Sequence, residues 1–162
     1  MAAYIAGLVG LIAVSAEASE SHCTAREQIV FSCPVGEEWV SVCASSDLSP
    51  SSGYLQYRFG KIGKPELVFP ELIFPASFFI RVGTLLFAGG GGGYVRFIDA
   101  PYQYVVYAAI SKDWGQKDGV AVLKDDRLIA NRVCRDVPIS KFSEAFFSQT
   151  GLPVDQWEFE VP

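Results

Sequence analysis

Four kinds of chemistry can be looked for in the residues of this chain: a nucleophile with its base, a pair of acids, a metal cluster and an anion cradle. Serines are plentiful, but the only histidine is His22, near the start of the chain, so a Ser-His-Asp arrangement has no well-placed general base. Acidic neighbours occur at Glu37-Glu38 and Asp125-Asp126. Both pairs sit in turn-like contexts, where carboxylates are solvated rather than set across a cleft as acid and base. The four cysteines, Cys23, Cys33, Cys43 and Cys134, have no C-x-x-C spacing and one histidine among them, so no metal site and no cofactor is expected. The fourth candidate is the run "LLFAGGGGGYVRF", with five consecutive glycines, Gly89, Gly90, Gly91, Gly92 and Gly93.

That run fails as a phosphate cradle. The dinucleotide pattern begun at Gly89 and Gly91 needs glycine where Tyr94 stands, and a P-loop needs Lys then Ser or Thr where Tyr94 and Val95 stand. The residues after the last glycine are β-prone, with no helix to face an anion. The run instead reads as a hairpin loop between "TLLFA" and "YVRFI". One reading makes it a plain flexible connection. The other makes it a partner-contacting loop, since five glycines carry a large ordering entropy and a shorter turn would suffice. No catalytic residue is assigned.

The remaining organisation explains what must position such a loop. The 162 residues suit one domain, and half of them are apolar with 14% aromatic, ample for a core. A net charge of −5 argues against nucleic acid as partner. The opening "MAAYIAGLVGLIAVSAEASE" reads as a signal peptide over residues 1–18. An apolar run from Ala2 to about Ala16 ends at Val14-Ser15-Ala16 or Ala16-Glu17-Ala18 as a cleavage motif, though no Lys or Arg precedes it. The run falls short of the ~20 residues of a spanning helix, so no stable membrane span is expected after cleavage. Residues 19–162 are expected to form a single β-rich domain in a periplasmic or secreted setting. There four cysteines suggest two disulfides.

The pairing is open. If "QIVFSCPVGEEWVSVCAS" turns near Gly36-Glu37, Cys33 shares a face with Ile29 and Phe31 while Cys43 shares the other with Trp39 and Ser41. Each then seeks its partner elsewhere. At least one bridge is expected to tie Cys134 to this hairpin, closing a loop of roughly 90 to 110 residues worth about 4–5 kcal/mol in the chain-entropy model.

Downstream, "YLQYRFG" alternates, with Leu55, Tyr57 and Phe59 on one face and Tyr54, Gln56 and Arg58 on the other. The echo "ELVFP", "ELIFP" reads as edge or extended segments because proline lacks an N–H. "YQYVVYAAI", "GVAVLK" and "RLIANRVC" continue the strands. "ISKFSEAFFSQTGLP" predicts a short helix with Ser140 as N-cap, Phe142, Ala145 and Phe146 on its apolar face and Gly151 as C-cap. The tail "DQWEFEV" alternates as a further edge strand. About nine strands and one helix predict a small antiparallel barrel or sandwich with one short C-terminal helix. Arg58 and Arg96 stand in similar "YRF" and "VRF" settings, suited either to recognising a carboxylate or to pairing with local acids. Tyr54, Tyr94, Tyr102, Tyr104 and Tyr107 are candidates for stacking or for the core.

In the order "GYVRF", "YQYVVY", "WGQKDGVAVL", "RLIANRVC", with "VFSC" upstream, the carboxyl-terminal half resembles the bacterial membrane-bound and periplasmic lysozyme inhibitors. The resemblance implies a small exported β-barrel whose loop blocks c-type lysozyme. Arg96 and Phe97 match, Lys117 stands near the later lysine, and Gly93 and Tyr94 replace the inhibitory serine and its glycine. The whole chain also resembles exported proteobacterial β-rich proteins of unassigned function. Together these readings describe a disulfide-bonded binding protein, an inhibitor or immunity-like protein of a cell-wall-degrading enzyme. Its partner-binding residues would be Gly89–Gly93, Tyr94, Arg96 and Lys117, entering a cleft sterically. The alternatives are a glycan-binding or structural envelope module, and less readily an enzyme.

Overall fold

The computed structural model describes residues 21–73 and 75–162, so the expected signal segment lies outside the described residues. Two antiparallel five-stranded sheets pack face to face as a sandwich, and neither closes into a barrel. The first sheet has the order β10-β1-β2-β3-β4 and the second β5-β6-β7-β8-β9. The strands of the first are β1 Glu27–Val35, β2 Glu38–Ser45, β3 Leu55–Lys61, β4 Lys64–Phe69 and β10 Ile139–Ser140. Those of the second are β5 Ile80–Phe87, β6 Gly90–Asp99, β7 Tyr102–Ser111, β8 Gly115–Lys124 and β9 Arg127–Val133. Helix α1, Glu144–Thr150, comes after β10. Among the described residues no helix is long and apolar enough to cross a membrane.

The period-2 pattern sets the layers. Phe31, Val40, Val42, Leu55 and Tyr57 of the first sheet meet Ile80, Val82, Val95, Phe97, Val106 and Val120 of the second in one buried cluster. Tyr57 stacks on Tyr104 with ring centroids 5.0 Å apart and planes 10° apart, so Tyr104 serves the inter-sheet core rather than an open surface. In β3 the alternation runs as expected. Leu55 and Tyr57 face inward, while Gln56 and Arg58 lie opposite Cys43 and Ser41 on the outer face.

Both disulfides leave the hairpin for distant partners. Cys43 bonds Cys23, and Cys33 bonds Cys134 across a sequence separation of 101. One detail of the hairpin differs from the sequence reading: a bulge between Ile29 and Phe31 places Ile29 opposite Cys43, while Val30 and Phe31 both enter the core. A bulge inserts one residue and so reverses the face of everything before it.

The glycine run also differs. Only Ala88 and Gly89 form the turn; Gly90, Gly91, Gly92 and Gly93 belong to β6, all four paired with β5 and Gly91–Gly93 also with β7. Two neighbouring strands satisfy the backbone there, which fixes the run as strand rather than loop. Its missing side chains serve packing. A Cβ on Gly93 would lie 2.8 Å from the Phe147 ring, so the glycine lets α1 sit against the inner face of β6.

The helix is shorter than expected. Ser143, not Ser140, caps it by accepting from the Phe146 N–H at 3.2 Å, because Ser140 is drawn into β10 opposite Phe31. Phe147 and Thr150, rather than Ala145, are its buried residues, and Gly151 closes it at φ +62° as expected. "ELVF" lies in edge strand β4, as its prolines require, and a 3-10 turn, Ala76–Phe78, precedes β5 of the second sheet.

The amino-terminal segment crosses the outer face of the first sheet. Cys23 is bonded to Cys43 there, the His22 N–H donates to Ser41 Oγ at 3.0 Å, and Arg58 grips Glu27 with two hydrogen bonds of 2.6 and 2.9 Å. Burial alone would raise the Glu27 carboxyl. The Arg58 guanidinium, the Thr24 N–H and the Tyr54 hydroxyl outweigh it and hold Glu27 down to about 2. Burial lowers His22.

This packing has two testable outcomes. Gly93→Val is expected to destabilise the protein by about 1–3 kcal/mol, read as a lower urea midpoint at unchanged m-value. Because the folded Glu27 pKa is depressed, its contribution is complete above the unfolded value near 4.5 and is lost as pH falls toward 2. Glu27→Gln should flatten that part of the stability–pH curve, with lower stability at pH 7.

Candidate functional site

The outer face of the second sheet carries most of the sequence-nominated residues, and a second, smaller apolar cluster forms on it. Leu85, Tyr94, Val105, Tyr107, Ala109 and Ala121 project there, and Phe159 and Val161 of the carboxyl-terminal segment pack down onto them. The segment expected as an edge strand is therefore a strap. It touches the β5 edge once, where Val82 bridges Val154 in parallel, and then crosses the face of the sheet. Its alternation has this cause: Phe159 and Val161 are half-buried while Glu158 and Glu160 are exposed.

A buried ion pair fixes the strap. Arg96 Nε donates to Asp155 Oδ2 at 2.6 Å, with side-chain exposures of only 4% and 0%. Arg96 Nη1 donates to Gln103 Oε1, and Gln103 Nε2 donates in turn to Asp126 Oδ1, each at 2.6 Å. The Tyr94 hydroxyl donates to Asp155 Oδ2 at 3.1 Å and the Trp157 N–H to Asp155 Oδ1 at 3.1 Å. The Arg96 guanidinium lies 5.9 Å from the ring centroids of both Tyr94 and Trp157. Burial, followed by the nearby Asp155 charge, pushes the Tyr94 phenol up to about 12. Gly83 makes room for this tyrosine: a Cβ there would lie 2.3 Å from its ring.

Between the strap and the β5–β6 hairpin lies a groove of about 660 Å³, lined by Thr84, Leu85, Leu86, Phe87, Tyr94, Trp114 and residues 158–161. Phe87 meets Trp114 edge-to-face with centroids 5.1 Å apart, and Lys117 Nζ sits 5.2 Å over the Trp114 ring while donating to the main-chain oxygen of Pro162 at 2.9 Å. Glu158 and Glu160 are exposed at the rim, giving an aromatic wall beside two carboxylates. Such a mixture suits recognition by a partner group that is apolar in body and cationic at its tip.

The nominated residues separate accordingly. Gly92, Tyr94 and Lys117 share this outer face; Gly91 and Gly93 lie on the opposite one; Gly89 lies in the turn. Arg96 is covered by the strap and spent on Asp155, so it is not a free recognition group. Arg58 is likewise held by Glu27. Tyr107 is buried and donates to Asn131 Oδ1 at 2.8 Å, so the tyrosines do not form one open stacking platform. Sequence reasoning missed Phe87, Trp114, Glu158 and Glu160. The alternation of "WEFEV" held the signal for the strap, read there as strand pairing instead of face covering. Comparison of the chain with protein-family models, with curated proteins and with solved structures gives no match.

Asp155→Asn should leave Arg96 buried without its charge partner, costing about 3–5 kcal/mol. It should also release the strap, seen as faster amide exchange over residues 155–161 and a Tyr94 phenol that ionises at lower pH.

Proposed function

We propose that this chain is an exported binding protein of the periplasm or extracellular space, recognising another protein through the groove at the β5–β6 hairpin and doing no chemistry itself. The observation that carries the reading is that groove: an aromatic wall of Phe87, at the end of β5, and Trp114, in the β7–β8 turn, beside the exposed carboxylates of Glu158 and Glu160. The pairing of all four cysteines supports residence where thiols oxidise. The likeness to lysozyme inhibitors supplies the narrower form, inhibition of an enzyme that cleaves the cell wall. Its mechanism on this scaffold is groove contact rather than loop insertion, because Gly90–Gly93 are strand and Arg96 is neutralised by Asp155.

The test is affinity capture from envelope extract with the purified protein, repeated with Trp114→Ala, alongside a glycan array and a panel of muramidases and amidases. A protein partner whose capture falls about tenfold or more with Trp114→Ala, an anchor of the kind that dominates interfaces, is expected. Equal capture by both proteins, or binding confined to glycans, overturns the reading. An uninhibited enzyme panel removes its narrower form.

A further inference from the structure

The four sheet edges are not treated alike. An exposed edge is a template for pairing with a further strand, and proteins usually block it with charge, proline, bulges or brevity. Edge strand β10 is two residues long, and β4 begins with Lys64 and Pro65 opposite a register shift in β3. Edge strand β9 carries Arg127 and Arg132 and has a register shift against β8. Among the described residues, the fourth edge, β5, is bridged only at Val82, where the Val82 N–H donates to Pro153 O at 3.0 Å and the Asp155 N–H donates to Val82 O at 2.8 Å. By the alternation of an antiparallel ladder, Thr84 and Leu86 turn their N–H and C=O groups to the same open side. The stretch "TLLF" itself carries no charge, proline or bulge, and Leu86 is 90% exposed.

Grooves lie on both sides of this stretch. The aromatic groove between strap and hairpin borders it on the outer face. A second, of about 380 Å³ and walled by Phe147, Leu152 and Val154, borders it on the other, and the two meet at Thr84. An added strand would point alternate side chains into one and then the other. Acids stand over both, Glu158 and Glu160 outside and Glu144 inside. Of the nearby cations, Lys117 is engaged by the main-chain oxygen of Pro162 and Arg81 by the carbonyls of Ser77 and Ile80; Lys112 flanks the turn beside Gly89. A second copy pairing through β5 would bring two such sets of acids together, whereas a cationic segment would meet opposite charge.

Resting on the proposed groove recognition, we infer that β5 is an open template at Thr84–Leu86 that takes an extended, cationic segment of a partner protein as an added strand, its alternate side chains filling the two grooves. The strap's Pro153–Asp155 pairing at Val82 sets where that strand begins.

The probe is an acetylated, amidated nine-residue peptide alternating lysine with valine and phenylalanine. Binding to the full protein is tracked by calorimetry and by amide spectra of Thr84 and Leu86. Binding is expected, with new exchange protection at those two amides. It should fall about tenfold when the alternate peptide amides facing β5 are N-methylated, or in Thr84→Pro, each of which deletes edge hydrogen bonds. Proline at an outward-facing edge N–H should leave the fold intact by circular dichroism, and the N-methylated peptide needs no variant at all. Glu158→Gln with Glu160→Gln should weaken binding and its salt dependence. The inference is overturned by absence of binding, by binding indifferent to N-methylation and to Thr84→Pro, or by β5-mediated dimers in sedimentation. Binding indifferent to those changes but lost in Trp114→Ala would sink strand addition while leaving groove recognition standing.

Discussion

The structure depends on covering sheet faces that a two-layer sandwich would otherwise leave in water. Each terminal segment of the described chain lies across the outside of one sheet, and each is held by an ion-paired arginine rising from that sheet: Arg58, paired with Glu27 of β1, donates to the His22 carbonyl on the first, and Arg96 pairs with Asp155 on the second. An ion pair removed from water gains little over an apolar substitute, since desolvation of both charges offsets the attraction. Its value here is geometric. A guanidinium with several fixed donors admits one placement of the carboxylate, and so one course for the segment carrying it. The Arg96 pair extends through Gln103 to Asp126 at the β8–β9 turn, tying the strap to the far corner of its sheet.

This constraint accounts for the second hydrophobic cluster. Without the strap, Leu85, Tyr94, Val105, Tyr107 and Ala121 would present a contiguous apolar face to water. Covering it incompletely produces the groove: Phe159 and Val161 fill the centre, while Phe87 and Trp114 remain beside an opening. The candidate site is thus a by-product of how far the strap reaches, and its acids are those residues of the strap that cannot face the sheet.

Much of the architecture was legible in the sequence because strands with one buried face must alternate, and β3 does so without exception from Leu55 to Phe59. The long disulfide from Cys134 to the hairpin was legible for the same reason. Three features were not. The glycines read as a loop because composition alone cannot tell a flexible run from a strand whose side chains have been removed to admit Phe147 and its helix. The tail read as an edge strand because period-2 alternation is the same for a strand hydrogen-bonded to a neighbour and for a strap laid on a face. Arg96 read as a recognition group because its acceptor, Asp155, is 59 residues away in sequence.

The hairpin of β1 and β2 has a bearing on how the thiols find each other. Cys33 and Cys43 are close in sequence and lie on neighbouring strands, yet Cys33 projects into the core and Cys43 onto the outer face. Once the hairpin has zipped, its own two sulfurs are on opposite sides of a backbone layer and cannot join. The remaining choice sorts itself by topology. The outside sulfur bonds Cys23 at a sequence separation of 20, and the inside one bonds Cys134 at a separation of 101, beyond the last strand of the second sheet. Strand polarity thereby acts as a sorting rule, since a Cys33–Cys43 bond is incompatible with the zipped hairpin.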